Sequence, residues 1–128
     1  MLAKNYWGNN ESWLTIKYLS SSFHQESLSY VAKDGIETIG GIIMVYEDIV
    51  KNWIRLLIVD KKYQRSGIGS RLLRKVIKNM KKDESLFLDT GTENKGAIKF
   101  YKKHGFKLKG KIAELYNDKS AYIFKKKL

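Results

Sequence analysis

The 128-residue sequence has no cysteine and no proline. The missing thiols exclude disulfides, thiolate metal sites and a cysteine nucleophile together. There is no repeat and no proline-rich or other low-complexity linker. Nor is there an apolar run near the roughly 20 residues that span a bilayer; the longest, residues 42–46, is strand-sized. Met1-Leu2-Ala3-Lys4 runs into Asn5, Tyr6, Trp7 and Gly8, which is neither a signal peptide nor a lipidation signal. These absences lead us to expect a cytoplasmic protein with no membrane partner. Acidic residues are also scarce in one half of the chain. Residues 1–60 carry 5 basic and 7 acidic side chains, whereas residues 61–128 carry 20 and 6, within a net charge of +12. Such asymmetry suits an anionic ligand or partner, or a solvated lysine surface.

What is present builds one domain over residues 1–128. A hydrophobic fraction of 43%, with 3 Trp, 8 Tyr and 5 Phe, is enough for a real core. The first helix is predicted from residue 11 to 23, where Trp13, Ile16, Leu19 and Phe23 recur at helical spacing. Strands follow over residues 27–32 and 38–46, with Gly40-Gly41 marking a bulge or a close backbone approach. Residues 53–59 read as a strand buried on both faces. After Gly69, Leu72, Leu73, Val76, Ile77 and Met80 share one helical face. A short strand over residues 85–90 precedes a helix capped by Asn94 and ended by Gly105. Strands at 106–112 and 121–124, joined by a loop around Asn117-Asp118, complete a mixed α/β sheet domain.

The most informative junction is the strand at 53–59, then Gln64-Arg65-Ser66-Gly67-Ile68-Gly69, then a helix. A helix start offers unpaired amides and partial positive charge to a phosphate. Gly67 and Gly69 remove Cβ obstruction, and Arg65 adds a charged fork. No Gly-Lys-Ser/Thr closes a Walker loop, and Leu72 stands where a dinucleotide fingerprint needs its third glycine.

This turn resembles the central motif of the GNAT superfamily of N-acetyltransferases, Gln/Arg-x-x-Gly-x-Gly/Ala. The helix beginning Gly69-Ser70-Arg71-Leu72-Leu73 resembles that family's next segment. Asn94, Ala97, Phe100, Tyr101, Gly105 and Phe106 match its Asn-x-x-Ala-x-x-Phe-Tyr-x-x-x-Gly-Phe. The resemblance implies a GNAT-like mixed sheet flanked by helices, with splayed central strands. Its N-terminal strand is short or missing here. It also implies acetyl-CoA as acetyl donor, with no metal. Amides of Gln64, Arg65, Ser66, Gly67, Ile68, Gly69 and Ser70 would hold the pyrophosphate. The backbone of Leu57, Ile58 and Val59 would pair with the pantetheine arm, and Asn94 would touch the cofactor from its helix. An ordinary helix cap is the other role open to Asn94.

The implied reaction is direct attack of an amine on the thioester, which the absence of cysteine suits. Tyr101 matches the family's tyrosine, and a phenol of pKa near ~10 can donate to the departing thiolate. A core tyrosine is its alternative role. No acid lies within residues 53–59, where many relatives carry a glutamate. Asp89 lies 12 residues before Tyr101, where the ribosomal-protein N-terminal acetyltransferases carry a glutamate. It is the candidate base, or else a strand-end residue capping a turn. Glu47 and Glu93 are weaker candidates.

The acceptor is then an amine of a peptide, protein or small molecule. A lysine amine costs about 3.3 kcal/mol more to deprotonate at neutral pH than an α-amine, which favours a peptide N-terminus over a lysine. Other readings are a polyamine acetyltransferase, a non-catalytic acyl-CoA-binding protein, or a basic protein that binds nucleic acid or the ribosome. The last lacks a recognisable module of basic residues interleaved with exposed aromatics. The short N-terminal region leaves the acceptor groove either open or completed by the second subunit of a homodimer.

Overall fold

The computed structural model describes residues 13–15, 28–34, 38–47, 52–64 and 66–128. Strands are β1 (Trp13–Thr15), β2 (Tyr30–Asp34), β3 (Thr38–Glu47), β4 (Asn52–Val59), β5 (Ser85–Gly91), β6 (Lys107–Tyr116) and β7 (Lys119–Lys127). The helices are α1 (Ile68–Lys78) and α2 (Lys95–Lys103), with one 3-10 turn at Lys61–Tyr63. The chain forms two compact units, Met1–Asp48 with Arg55–Met80 and Ile49–Ile54 with Lys81–Leu128, and β4 contributes to both.

In the first unit β1, β2, β3 and β4 neighbour one another in that order. β1 corrects a sequence expectation. Trp13–Thr15 pairs antiparallel with β2 instead of opening a helix, the remainder of which falls outside the described residues. Spacing of three or four between apolar residues fits a helix template, but Trp and Thr favour strands, and the edge of β2 offers a partner. β1 is three residues long, and residues 1–7, where the family's N-terminal strand was expected to be short or missing, lie outside the described residues. Register between β2 and β3 slips by one residue at Gly40, since Ala32 faces Gly41 and Lys33 faces Ile39. Gly41 is also a close approach: a Cβ there would lie 3.0 Å from Ile68 Cγ2, 3.1 Å from Leu72 Cδ1 and 3.2 Å from the Ile58 carbonyl oxygen. Both expectations for this glycine pair therefore hold. α1 lays its apolar stripe on β2 and β3, burying Ile68, Leu72, Leu73 and Val76 with Ile43 and Val45. Each such side chain contributes about 1.5–3 kcal/mol of burial. Ser29 is buried as well, and its hydroxyl oxygen accepts from the Val45 amide at 3.0 Å.

In the second unit the strand order is β4-β5-β7-β6. β4 and β5 run parallel, pairing residues 52–54 with 86–88, and the other two pairs are antiparallel. Leu86, Leu88 and Thr90 alternate into the core with Ala121 and Phe124. On the opposite face Trp53 stacks on Phe87 at 5.3 Å, with Lys125 Nζ 5.5 Å from the Phe87 ring. α2 ends as predicted. Gly105 takes φ +88, and the Phe106 amide donates to the Tyr101 carbonyl at 3.0 Å. β6 departs from expectation by continuing through residues 113–116, so only Asn117 and Asp118 separate it from β7.

β4 is not buried on both faces. Asn52 and Ile54 are buried, but Arg55 is exposed and Ile58 is 51% exposed. The cause lies in the pairing: the ladder with β5 covers only the first three residues of an eight-residue strand.

Candidate functional site

In the first unit the end of β4 is folded into a turn by its own polar groups. The Asp60 amide donates to Gly40 O at 2.7 Å, and the Asp60 carboxylate accepts from the Lys62 amide at 2.9 Å. Tyr63 anchors the turn at 7% exposure. Gln64 Nε2 reaches back to the Val59 carbonyl at 3.0 Å, and the Ser66 hydroxyl donates to the Tyr63 carbonyl. Gly67 then enters the left-handed region at φ +84 and stands at the cap position of α1. Gly67 supplies no side-chain cap, and none is found among the described residues, which leaves the first amides of α1, on Ile68, Gly69 and Ser70, without a helical acceptor. A Cβ at Gly67 would meet nothing within 4 Å. Conformation, not crowding, is what demands glycine there. Ile68 is buried, while Gly69 and Ser70 are half-buried, so the amides of the first turn lie near the surface. Arg65 falls outside the described residues.

The backbone of β4 alternates its edges. Asp60 turns its amide toward β3 and the Ile58 carbonyl approaches Gly41. Leu57 and Val59, one residue out of step, turn their backbone groups to the other edge. The Val59 carbonyl is already engaged by Gln64. Leu57 and Val59 are half-buried, so together with Ile58 they leave an apolar strand end without full cover.

In the second unit Asn94 caps α2, its side-chain oxygen accepting from the Ala97 amide at 3.2 Å. Tyr101 is 7% exposed, held edge-on by Phe100 at 5.2 Å and Phe106 at 5.4 Å. Burial pushes its pKa up to about 12, because the phenolate is the form that desolvation penalises. Asp89, exposed near the end of β5, accepts a hydrogen bond from the Tyr116 hydroxyl. The Tyr116 pKa is pushed up to about 12 by desolvation, then by the hydrogen bond and the Asp89 charge. A shallow cavity of about 360 Å³ adjoins this pair, lined by Gly91, Glu93, Asn94, Tyr116 and Lys119 among others. Lys119 and Glu93 form an exposed ion pair across it at 3.7 Å.

The sequence reading missed Tyr116 by placing it in a loop. The signal was a two-residue Asn-Asp turn, which lets both flanking strands run up to it. Among the described residues no group of three or more His, Cys, Asp or Glu could hold a metal ion. No described helix is long and apolar enough to cross a membrane.

Comparison with known proteins gives this geometry a family. The profile of the Acetyltransferase (GNAT) family matches residues 2–106. The chain belongs to the GNAT family. Human N-alpha-acetyltransferase 30 is 34% identical over 98 residues, covering 72% of this chain and 26% of that protein. Spermine/spermidine N(1)-acetyltransferase of Bacillus subtilis is 27% identical over 78 residues, covering 56% of this chain and 51% of that protein. The structure of Arabidopsis thaliana Naa50 in complex with the bisubstrate analogue CoA-Ac-MVNAL superposes with a TM-score of 0.70 at 26% identity. It covers 90% of this chain and 82% of that one. This GNAT chain thus spans about a quarter of the length of the N-alpha-acetyltransferase 30 it matches.

Proposed function

We propose that residues 1–128 act as one acetyltransferase domain that takes the acetyl group of acetyl-CoA and transfers it to a primary amine, foremost the α-amine of a peptide. The uncapped start of α1 behind Gly67 is the observation that carries the reading. Its amides are unpaired within the helix, its glycine leaves the approach open, and both suit a pyrophosphate. Gln64, Arg65, Ser66, Gly67, Ile68, Gly69 and Ser70 hold that group. The Leu57 backbone and the Val59 amide face the pantetheine arm. Ile58, whose carbonyl approaches Gly41, lends apolar surface instead of the backbone pairing expected of it, and Asn94 keeps its amide nitrogen for the cofactor while its oxygen caps α2.

Acetyl-CoA supplies an activated thioester. The amine nitrogen forms a bond to the acetyl carbon as the carbon–sulfur bond breaks, and the electron pair leaves on sulfur. Tyr101 donates a hydrogen bond to that thiolate; among the described residues nothing accepts from its hydroxyl, so the donor is available. Asp89 takes the proton the amine must lose, through water, because an aspartate is short.

The α-amine is favoured for two reasons. The match to N-alpha-acetyltransferase 30 is longer than the match to the polyamine enzymes. An α-amine also needs about 3.3 kcal/mol less deprotonation than a lysine. The test incubates the full chain with acetyl-CoA and panels of peptides, polyamines and small amines, following free coenzyme A thiol and acceptor mass. Peptides acetylated at their first residue are the expected product. Acetylation of spermine or spermidine alone would transfer the reading to a polyamine, and no acetylated product would refute the enzyme.

A further inference from the structure

The Tyr116–Asp89 hydrogen bond is not one the sheet makes by default. β7 lies between β5 and β6. Asp89 faces Ile123, whereas Tyr116 faces Lys119, four residues further along β7. In a flat sheet two strand spacings and four residues of rise would separate their Cα atoms by roughly 16 Å. That exceeds the combined reach of a tyrosine and an aspartate. The hairpin tip must therefore bend toward β5, and β6 carries the means. Its register with β7 breaks between Ile112 and Tyr116, and Glu114 inside the break takes φ +56. A non-glycine residue in the left-handed region costs about 1–2 kcal/mol, and bulges of this kind re-aim side chains. The fold sustains a local strain, and the result is a phenol seated on a carboxylate 27 residues away in sequence.

From this geometry we infer that Tyr116 is the positioning residue that holds the Asp89 carboxylate in place to receive the acceptor's proton. The inference rests on the acetyl-transfer reading and on Asp89 as base. Tyr116 donates to Oδ1; among the described residues no donor is found on Oδ2, which is left for the bridging water. When the proton moves, the amine's nitrogen–hydrogen bond breaks as the water takes that proton, the water gives one of its own protons to Oδ2, and the carboxylate charge is neutralised. A phenol ordinarily titrates near ~10, and its hydrogen bond to the Asp89 carboxylate favours the protonated form further, so at neutral pH Tyr116 orients and does not itself exchange the proton.

A double-mutant cycle on the full chain tests this. kcat and the KM for acetyl-CoA are measured for wild type, Tyr116→Phe, Asp89→Asn and the double variant, using an amine the wild type acetylates. Phenylalanine keeps the ring at a position 40% exposed, so the fold is retained, and a melting curve checks it. Tyr116→Phe is expected to lower kcat about tenfold, the scale of a misplaced catalytic group, with the acetyl-CoA KM unchanged. Asp89→Asn is expected to lower it about a hundredfold or more, and the double variant to be no worse than Asp89→Asn. A full tenfold loss repeated in the Asp89→Asn background overturns the positioning role while acetyl transfer stands. So does an unchanged Tyr116→Phe, or an Asp89→Asn variant as active as wild type. A wild type that acetylates no amine sinks both readings at once.

Discussion

Tyr101→Phe separates what Tyr101 does for packing from what it does for chemistry. The ring sits edge-on between Phe100 and Phe106, and phenylalanine preserves both contacts. Among the described residues nothing accepts from the hydroxyl, so its removal orphans no partner, and neutral-pH stability should change by less than about 0.5 kcal/mol. The chemical effect is different. With its pKa pushed up to about 12, the phenol lies roughly 3.5 units above a thiol of ~8.5, so full proton transfer to the thiolate is uphill by about 5 kcal/mol. Tyr101 therefore acts by hydrogen-bond donation. Such a bond to a charged group contributes about 1.5–3 kcal/mol, which predicts a 10- to 150-fold loss of kcat with the acetyl-CoA affinity intact. Stopped-flow release of coenzyme A, alongside calorimetric titration of acetyl-CoA, measures both. An unchanged kcat, or a loss confined to affinity, would refute the reasoning.

Stability at high pH gives an independent reading of the same burial. Tyr101 stays protonated in the fold after the unfolded chain has begun to ionise at its ordinary 10.0. Tyr101 should thus contribute in full below pH 10 and alone remove about 2–3 kcal/mol between pH 10 and 12. Tyr116, raised in the same direction but more exposed, adds a smaller loss, and Tyr101→Phe should remove the Tyr101 part in urea melts. Gly41→Ala should cost about 1–3 kcal/mol by overpacking, because a Cβ there meets Ile68, Leu72 and the Ile58 carbonyl at 3.0–3.2 Å; unchanged chemical denaturation would contradict that crowding. Gly67→Ala should cost about 1–2 kcal/mol through backbone conformation alone and weaken acetyl-CoA binding by disturbing the entrance to α1, while Gly67→Asn should cost less, since asparagine tolerates the left-handed region. Equal costs for the two would count against this account of the turn.

The parts of the fold that were legible in the sequence are those in which local signals agree. Leu72, Leu73 and Val76 form a helical stripe and are buried as one, and Gly105 ends its helix with the left-handed φ expected. Gly40-Gly41 delivered both a bulge and a close approach. The errors have a common physical origin in pairing, which sequence periodicity does not report. Trp13 joined β2 as a strand because an edge was available. The apolar run of β4 was read as buried on both faces because its ladder with β5 could not be seen to end at Ile54. Around the proposed site, Gly67 and Asn94 were legible as the residues that start two helices, and Tyr101 as a ring buried against Phe106. Tyr116 was not, since its partner is set by a bulge on β6 and a bend in the hairpin.

The central claim is that α1 begins as a pyrophosphate site for an acetyl donor. Calorimetric titration of the full chain with acetyl-CoA and, separately, with S-acetylpantetheine, which carries the same thioester without the pyrophosphate, tests it most directly. The account predicts one-to-one binding of acetyl-CoA and binding of S-acetylpantetheine weaker by at least about a hundredfold, the scale of two charge-assisted hydrogen bonds. Equal affinity for the two, or no binding of acetyl-CoA, would contradict it.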